Sequence, residues 1–157
     1  MNSTLMFSKA SDEWATPQET FDALDAEFNF TCDAAATDEN KKCAFRFTET
    51  DDALSFSWWE RAAIAEVPPV FWLNPPYSKC REFIAKAAEE ARKGCTVVCL
   101  VPSRTDTRWW HEHVWNQEAH QPRPGVEVRF LKGRLKFGGA TAGAPFPSVV
   151  IVFRRPM

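Results

Sequence analysis

No glycine occurs before Gly94; all six glycines of the chain lie from there onward. A glycine-rich ligand-binding loop, which needs backbone without Cβ atoms, is therefore excluded from the N-terminal half. Long apolar runs are also missing. None approaches the ~18 residues of a membrane-spanning helix, and residues 1–10 lack an apolar core of signal-peptide length. Cysteine is present but unpatterned: positions 32, 43, 80, 95 and 99 give an odd count without any Cys-x-x-Cys pair. Cys95 and Cys99 fall in an apolar, strand-like run and read as small core residues. There are three histidines. His111 and His113 are two apart, so they diverge on a helix, and no acid–cysteine cluster accompanies them; no metal site is expected. These absences together point to a reduced, intracellular protein of the cytoplasm, with no membrane partner.

What is present fits one domain over residues 1–157, with 1–13 expected as a poorly ordered tail. Hydrophobic residues make up 45% and charged residues 25% of the chain, as in ordinary globular proteins. Seven Trp and thirteen Phe are many for this length, enough to fill a core and still stack on a ligand or base. The net charge of −2 hides an asymmetry. Residues 1–60 hold 4 Lys/Arg against 13 Asp/Glu, whereas residues 101–157 hold 9 against 4. An acidic half and a basic C-terminal third follow, and phosphate contacts belong on the latter. Chance clustering of solvated charge gives the same count.

Along the chain, Thr16-Pro17-Gln18-Glu19 reads as a helix start: Thr16 as cap, Pro17 at the first helical position, Glu19 completing a capping box. Phe21, Leu24 and Phe28 continue at helical spacing. Phe30-Thr31-Cys32 is strand-like and ends at Asp33, and Phe45-Arg46-Phe47-Thr48 alternates like a short strand. Val70-Phe71-Trp72-Leu73 is apolar throughout, as in a strand buried on both faces. Cys80, Phe83, Ile84, Ala87, Ala88 and Ala91 form one helical stripe, which Gly94 ends. A second buried strand covers 96–101. Loop then helix is expected over 103–117, two strand pieces around Gly133 over 126–137, a turn-rich loop over 138–147, and a last strand over 148–153. The strand–helix–strand unit over 70–101 predicts a doubly wound α/β fold, with the last two runs as an antiparallel hairpin at one edge. Ligands in such sheets bind beyond the carboxyl ends of the strands.

Asn74-Pro75-Pro76-Tyr77 stands at such an end, and it suits one chemistry. An exocyclic amine of a base is a poor nucleophile because its lone pair is delocalised into the ring. Two acceptors on its two N–H bonds draw the nitrogen toward tetrahedral geometry and free that lone pair. Asn74 offers a side-chain carbonyl and Pro75 a backbone carbonyl. Neither proline has an N–H, both have fixed φ, and Asn74 is held extended by the proline after it. Such preorganisation is where electrostatic catalysis gains most. Tyr77 can stack on the base, which must leave the duplex to arrive there. A plain proline turn between strand and helix is the bland alternative.

At these residues the chain resembles the S-adenosylmethionine-dependent amino-methyltransferases with an (Asn/Asp/Ser)-Pro-Pro-(Tyr/Phe) motif. More narrowly, it is similar to the small phage-type DNA N6-adenine methyltransferases. The likeness runs from Trp14 to Phe153 and includes Trp14-Ala15-Thr16-Pro17, Asp33-Ala34-Ala35-Ala36-Thr37, Asp52-Ala53-Leu54, Val101-Pro102-Ser103-Arg104-Thr105-Asp106-Thr107-Arg108-Trp109, Phe130-Leu131-Lys132-Gly133-Arg134-Leu135-Lys136-Phe137 and Ala144-Pro145-Phe146-Pro147-Ser148. It implies the Rossmann-like methyltransferase fold, whose last strand is antiparallel. It implies S-adenosylmethionine as cofactor, double-stranded DNA as partner, and a phage-encoded or restriction–modification setting in a bacterial cell. Asn74, Pro75, Pro76 and Tyr77 would be catalytic. Thr16 and Pro17 would lie near the cofactor's methionine carboxylate, where a helix start suits an anion. Asp33 and Ala34 would occupy the cofactor motif, alanine-rich here where the family is usually glycine-rich. Asp51 or Asp52 would accept from the cofactor's adenine amine, and Asn74 would face the cofactor too.

Arg104, Arg108 and Trp109 would meet phosphate and a splayed base. Lys132, Arg134 and Lys136 alternate as on one strand face and would form a phosphate stripe. Ion pairing with core Trp, and a charge-protected edge strand, are the structural alternatives. A DNA-binding protein without turnover, or an enzyme acting on cytosine N4, RNA or protein glutamine, carries the same tetrapeptide argument less well.

Overall fold

The strands in chain order are β1 (Cys32–Ala36), β2 (Phe45–Thr48), β3 (Val70–Leu73), β4 (Thr96–Pro102), β5 (Trp115–Asn116), β6 (Gln121–Pro122), β7 (Val126–Phe130) and β8 (Ser148–Phe153). The helices are α1 (Gln18–Phe28), α2 (Trp58–Ile64) and α3 (Cys80–Lys93). This computed structural model describes residues 16–37, 40–136 and 143–156. The expected tail, 1–13, lies outside the described residues, as do Trp14, Ala15, Phe137 and residues 138–142 of the 138–147 loop.

Six strands form one sheet in the order β2-β1-β3-β4-β8-β7, and β5 pairs with β6 separately. β1, β2, β3 and β4 are mutually parallel, while β8 runs antiparallel to both β4 and β7. The protein is thus a mixed α/β molecule with a mostly parallel sheet and an antiparallel edge. The last two strands do pair as expected, but the last one is not outermost. β8 is buried at every position, whereas β7 is half-exposed and carries Glu127 and Arg129. The all-apolar strand goes inside and the alternating one takes the edge.

Side-chain alternation divides the core in two. Phe71, Leu73, Val97, Cys99, Val101, Val149, Ile151 and Phe153 face α2 and α3, packing on Trp58, Ala62, Phe83, Ile84 and Ala87. Trp72, Val98, Leu100, Val150 and Val152 face the other way, onto Phe21 of α1 and onto Ala144 and Phe146. Cys32, Cys95 and Cys99 are fully buried and all five thiols are free, in keeping with the reading of Cys95 and Cys99 as core residues.

Several local expectations shift. α1 begins one residue later than the cap signal implies: Pro17 is its N-cap, with no side-chain cap bond, and the Pro17 carbonyl accepts from Thr20 and Phe21. β1 runs through Asp33 to Ala36 rather than ending at Asp33, because pairing with β2 and β3 on its two sides holds even alanines extended. β7 stops at Phe130, and residues 131–136 form no strand. The helix expected within 103–117 is a short π-helical turn, Trp110–Val114.

α2 has no counterpart among the sequence expectations. Ser57 caps it by accepting from the Glu60 N–H at 3.2 Å, and α3 holds it from below. Glu90 is fully buried, accepts from the Trp59 N–H at 3.0 Å, and pairs with Lys86 at 3.1 Å and Lys93 at 2.7 Å. Burial raises the Glu90 pKa, but the two lysines and the Trp59 N–H outweigh it and leave the carboxyl below its ordinary value. Gly94 then ends α3 at φ +124, where an added Cβ would lie 2.7 Å from the Trp59 ring.

Glu90→Gln leaves both lysines facing a neutral group and is expected to cost about 3 kcal/mol of unfolding free energy at neutral pH. Since the folded carboxyl titrates below its unfolded value, its contribution is present above the ordinary glutamate range and lost as pH falls through the lowered one. Urea melts of both proteins should therefore converge in acid; equal midpoints at pH 7 would show that the pair does not hold α2.

Candidate active site at the carboxyl edge of the sheet

β3 runs out into three residues with no regular structure, Asn74, Pro75 and Pro76, followed by a 3₁₀ turn over Tyr77–Lys79 that leads straight into α3. Pro75 is buried, and Pro76 sits at φ −57, ψ 137 with its carbonyl accepting from the Lys79 N–H at 3.0 Å. The Asn74 amide nitrogen donates to the Thr16 hydroxyl at 3.0 Å. This contact ties the segment before α1 to the segment after β3. The Tyr77 ring stands edge-on to Phe146, centroids 5.1 Å apart. Burial raises the Tyr77 phenol well above its ordinary value, and the charge of Arg104 offsets this in part.

A cavity of about 320 Å³ opens beside this segment, within the range of small-molecule sites. Thr16, Asp33, Ala34, Asp52, Asn74 and Pro76 line it; Pro17 does not. Its apolar wall is Phe47, Ala53, Leu54, Trp72 and Phe83, and its polar rim includes Thr37, Asn40, Lys42, Thr48, Glu49 and Lys79. Three of the parallel strands, β1, β2 and β3, and the segments that follow them bring most of these residues to one edge of the sheet.

Asp33 is 3% exposed. One of its oxygens accepts from the Lys42 N–H at 2.9 Å and the other from the Ala35 N–H at 3.3 Å. The carboxylate thus fastens the β1–β2 connection over the cavity. Thr37 and Asn40 exchange side-chain-to-backbone bonds in the same connection, and the Lys42 ammonium donates to Gln18 of α1 at 3.0 Å. Burial pushes the Asp33 pKa up to about 6, against the N–H groups of Lys42 and Ala35. The two adjacent acids separate clearly. The Asp51 carboxylate accepts from the Thr48 N–H at 2.7 Å, while Asp52 lines the cavity from a left-handed backbone, φ 56. Asp and Asn are the non-glycine residues that tolerate that conformation best.

The basic residues divide. Arg104 follows β4 and is exposed, with its charge felt at Tyr77 and Cys80. Arg108 is exposed beside Glu112 at 3.9 Å. Trp109, by contrast, is 7% exposed and packs in the core edge-on to Trp110, so it stands in the core rather than on the surface. Lys132, Arg134 and Lys136 are all exposed, but on an irregular segment after β7 with Gly133 at φ +74, so no strand alternation aligns them. β7 is parallel to β4, which brings that segment to the cavity's edge of the sheet. Arg129, also basic, is drawn away into pairs with Glu27 and Glu127.

Sequence reasoning missed Thr48 and Glu49, which the ends-of-strands rule applied to β2 would have found. It also missed Phe146, half of the ring pair with Tyr77; only the fold-back of the 143–147 segment reveals that partner. Among the described residues no group of three His, Cys, Asp or Glu is placed to hold a metal ion.

A mostly parallel sheet with an antiparallel edge, and a small-molecule cavity beside the Asn-Pro-Pro-Tyr turn, is compatible with a methyltransferase-like fold. The sequence profile of the DNA N-6-adenine-methyltransferase (Dam) family matches residues 3–155, and the chain belongs to that family. It is 32% identical over 102 residues to the DNA N-6-adenine-methyltransferase of Escherichia phage T1, covering 64% of this chain and 40% of that protein. It is 31% identical over 114 residues to the DNA N-6-adenine-methyltransferase of Haemophilus phage HP1 (strain HP1c1), covering 69% of this chain and 61% of that one. The chain thus spans less than two thirds of the length of these relatives.

Asp33→Asn removes a titration that the buried carboxyl makes at about pH 6 when folded and near 3.8 when free. A raised folded pKa means that this stabilisation is full in acid and is lost as pH rises through about 6. Unfolding free energy measured across pH 4 to 6.5 should fall less steeply in the variant; parallel curves would show that Asp33 is not the buried titrating group.

Proposed function

We propose that the protein is an S-adenosylmethionine-dependent methyltransferase that acts on N6 of adenine in double-stranded DNA, with the Rossmann-like fold of such enzymes. The observation that carries this reading is the cavity of about 320 Å³ that opens onto Asn74 in a chain of the Dam family. S-adenosylmethionine is rich in donors: an ammonium, two ribose hydroxyls and an adenine amine. The cavity has acceptors for them at Glu49 and Asp52, apolar walls for a flat ring, and donors at Lys42 and Lys79 for a carboxylate. The donor set fits the cofactor without a glycine-rich loop.

When bound, the cofactor supplies an electrophilic methyl group on a sulfonium sulfur. The chain supplies the rest. The target adenine turns out of the duplex and presents its amine to the Asn74 carbonyl arm and the Pro75 carbonyl. These acceptors hold the two N–H bonds and expose the nitrogen lone pair for in-line attack. Tyr77 covers the base face and Phe146 braces its ring. Arg104, next to Tyr77, and the exposed Lys132, Arg134 and Lys136 contact the phosphates, with Arg108 farther along the same loop.

Labelled methyl transfer to unmethylated DNA, followed by nucleoside analysis, should yield N6-methyldeoxyadenosine. Asn74→Ala should lower kcat by at least about 100-fold with DNA affinity nearly unchanged. A variant with wild-type turnover would remove Asn74 from the chemistry, and N4-methyldeoxycytidine as product would redirect the substrate.

Neutralising Lys132, Arg134 and Lys136 together should flatten the dependence of log K on log salt by up to about 0.9 for each phosphate that these side chains neutralise. An unchanged slope in fluorescence-anisotropy titrations would mean that these residues are only a solvated surface.

A further inference from the structure

Asn74 can activate an amine only if its carbonyl arm faces the substrate. An amide side chain has an acceptor arm and a donor arm of nearly equal shape. Turned the other way, it would set N–H against N–H and block the reaction. Something beyond the Asn74 side chain itself must decide between the two orientations.

The Thr16 hydroxyl meets one of the two arms, the donor arm. The Asn74 amide nitrogen donates to it at 3.0 Å across 58 residues of chain. Thr16 is 4% exposed, so water competes poorly for that bond. The helix it precedes does not use the hydroxyl, because Pro17 is the N-cap and no side chain caps α1. Both residues also stand directly before prolines, Pro17 and Pro75, and each is thereby restricted to extended backbone. Two stiff segments thus present two short side chains to each other at the cavity wall. We infer that Thr16 is a positioning residue that holds the donor arm of Asn74 and so turns its carbonyl arm toward the substrate amine. This rests on the methyl transfer proposed above. It gives the hydroxyl a different task from the cofactor contact implied by family resemblance.

The test uses the full chain, with unmethylated plasmid DNA and S-adenosylmethionine. Thr16→Val keeps the shape and removes the acceptor; Thr16→Ser keeps the acceptor. Thr16→Val should slow single-turnover transfer at saturating cofactor by roughly 10- to 100-fold, with the calorimetric Kd for S-adenosylmethionine unchanged. Thr16→Ser should restore most of the rate. In an Asn74→Asp background both arms are oxygens and no orientation needs choosing, so there the Thr16→Val penalty should largely vanish. A raised Kd with an unchanged saturated rate would make Thr16 a cofactor contact and overturn the inference. So would a serine variant as slow as valine, or an equal penalty in both backgrounds. A wild type that transfers no methyl group would overturn the proposed function, and this inference with it.

Discussion

The molecule turns on the two prolines that follow β3. A strand buried on both faces has no solvent to satisfy its backbone, so it must stay paired until its donors run out. Pro75 and Pro76 have no N–H, and regular structure stops at Leu73, one residue before them. That termination puts Asn74 at the carboxyl edge, extended and stiff, with α3 starting just beyond it. The rest of the site is arranged around this fixed point: Thr16 reaches it from the segment before α1, and the cavity opens beside it.

The β1–β2 connection solves the problem raised by the missing glycines. A tight strand-to-helix turn under a cofactor needs positive φ and close backbone approach. Here β1 continues extended through Ala36 and no glycine is called for. The connection is held by the buried Asp33 carboxylate and by the Thr37–Asn40 exchange. The left-handed residue that lines the cavity is Asp52 instead. Small alanines keep the floor of the cavity open, which is the property glycines would otherwise supply.

Much of this was legible in advance. The apolar runs of β3, β4 and β8 announced strands buried on both faces, and the stripe from Cys80 to Ala91 announced α3. Asn74-Pro75-Pro76-Tyr77 is a contiguous motif whose proposed chemistry follows from its own residues. Other features resisted for identifiable reasons. Trp109 among arginines reads either as a base-stacking aromatic or as a core residue, and the turn after β4 places it in the core. Lys132, Arg134 and Lys136 look like one strand face, but strand pairing ends at Phe130.

By itself the sequence determined the sheet's inner strands, the helix after the tetrapeptide and the tetrapeptide itself, because those depend on local periodicity and on prolines. Only the tertiary structure decided which distant side chains meet. It moved the Thr16 hydroxyl from capping a helix to holding Asn74, chose Asp52 over Asp51 for the cavity, and set Phe146 against Tyr77. Each of these joins segments far apart in sequence or selects between chemically equal neighbours. A local pattern cannot register either, because the energy that settles them comes from burial against the other side of the fold.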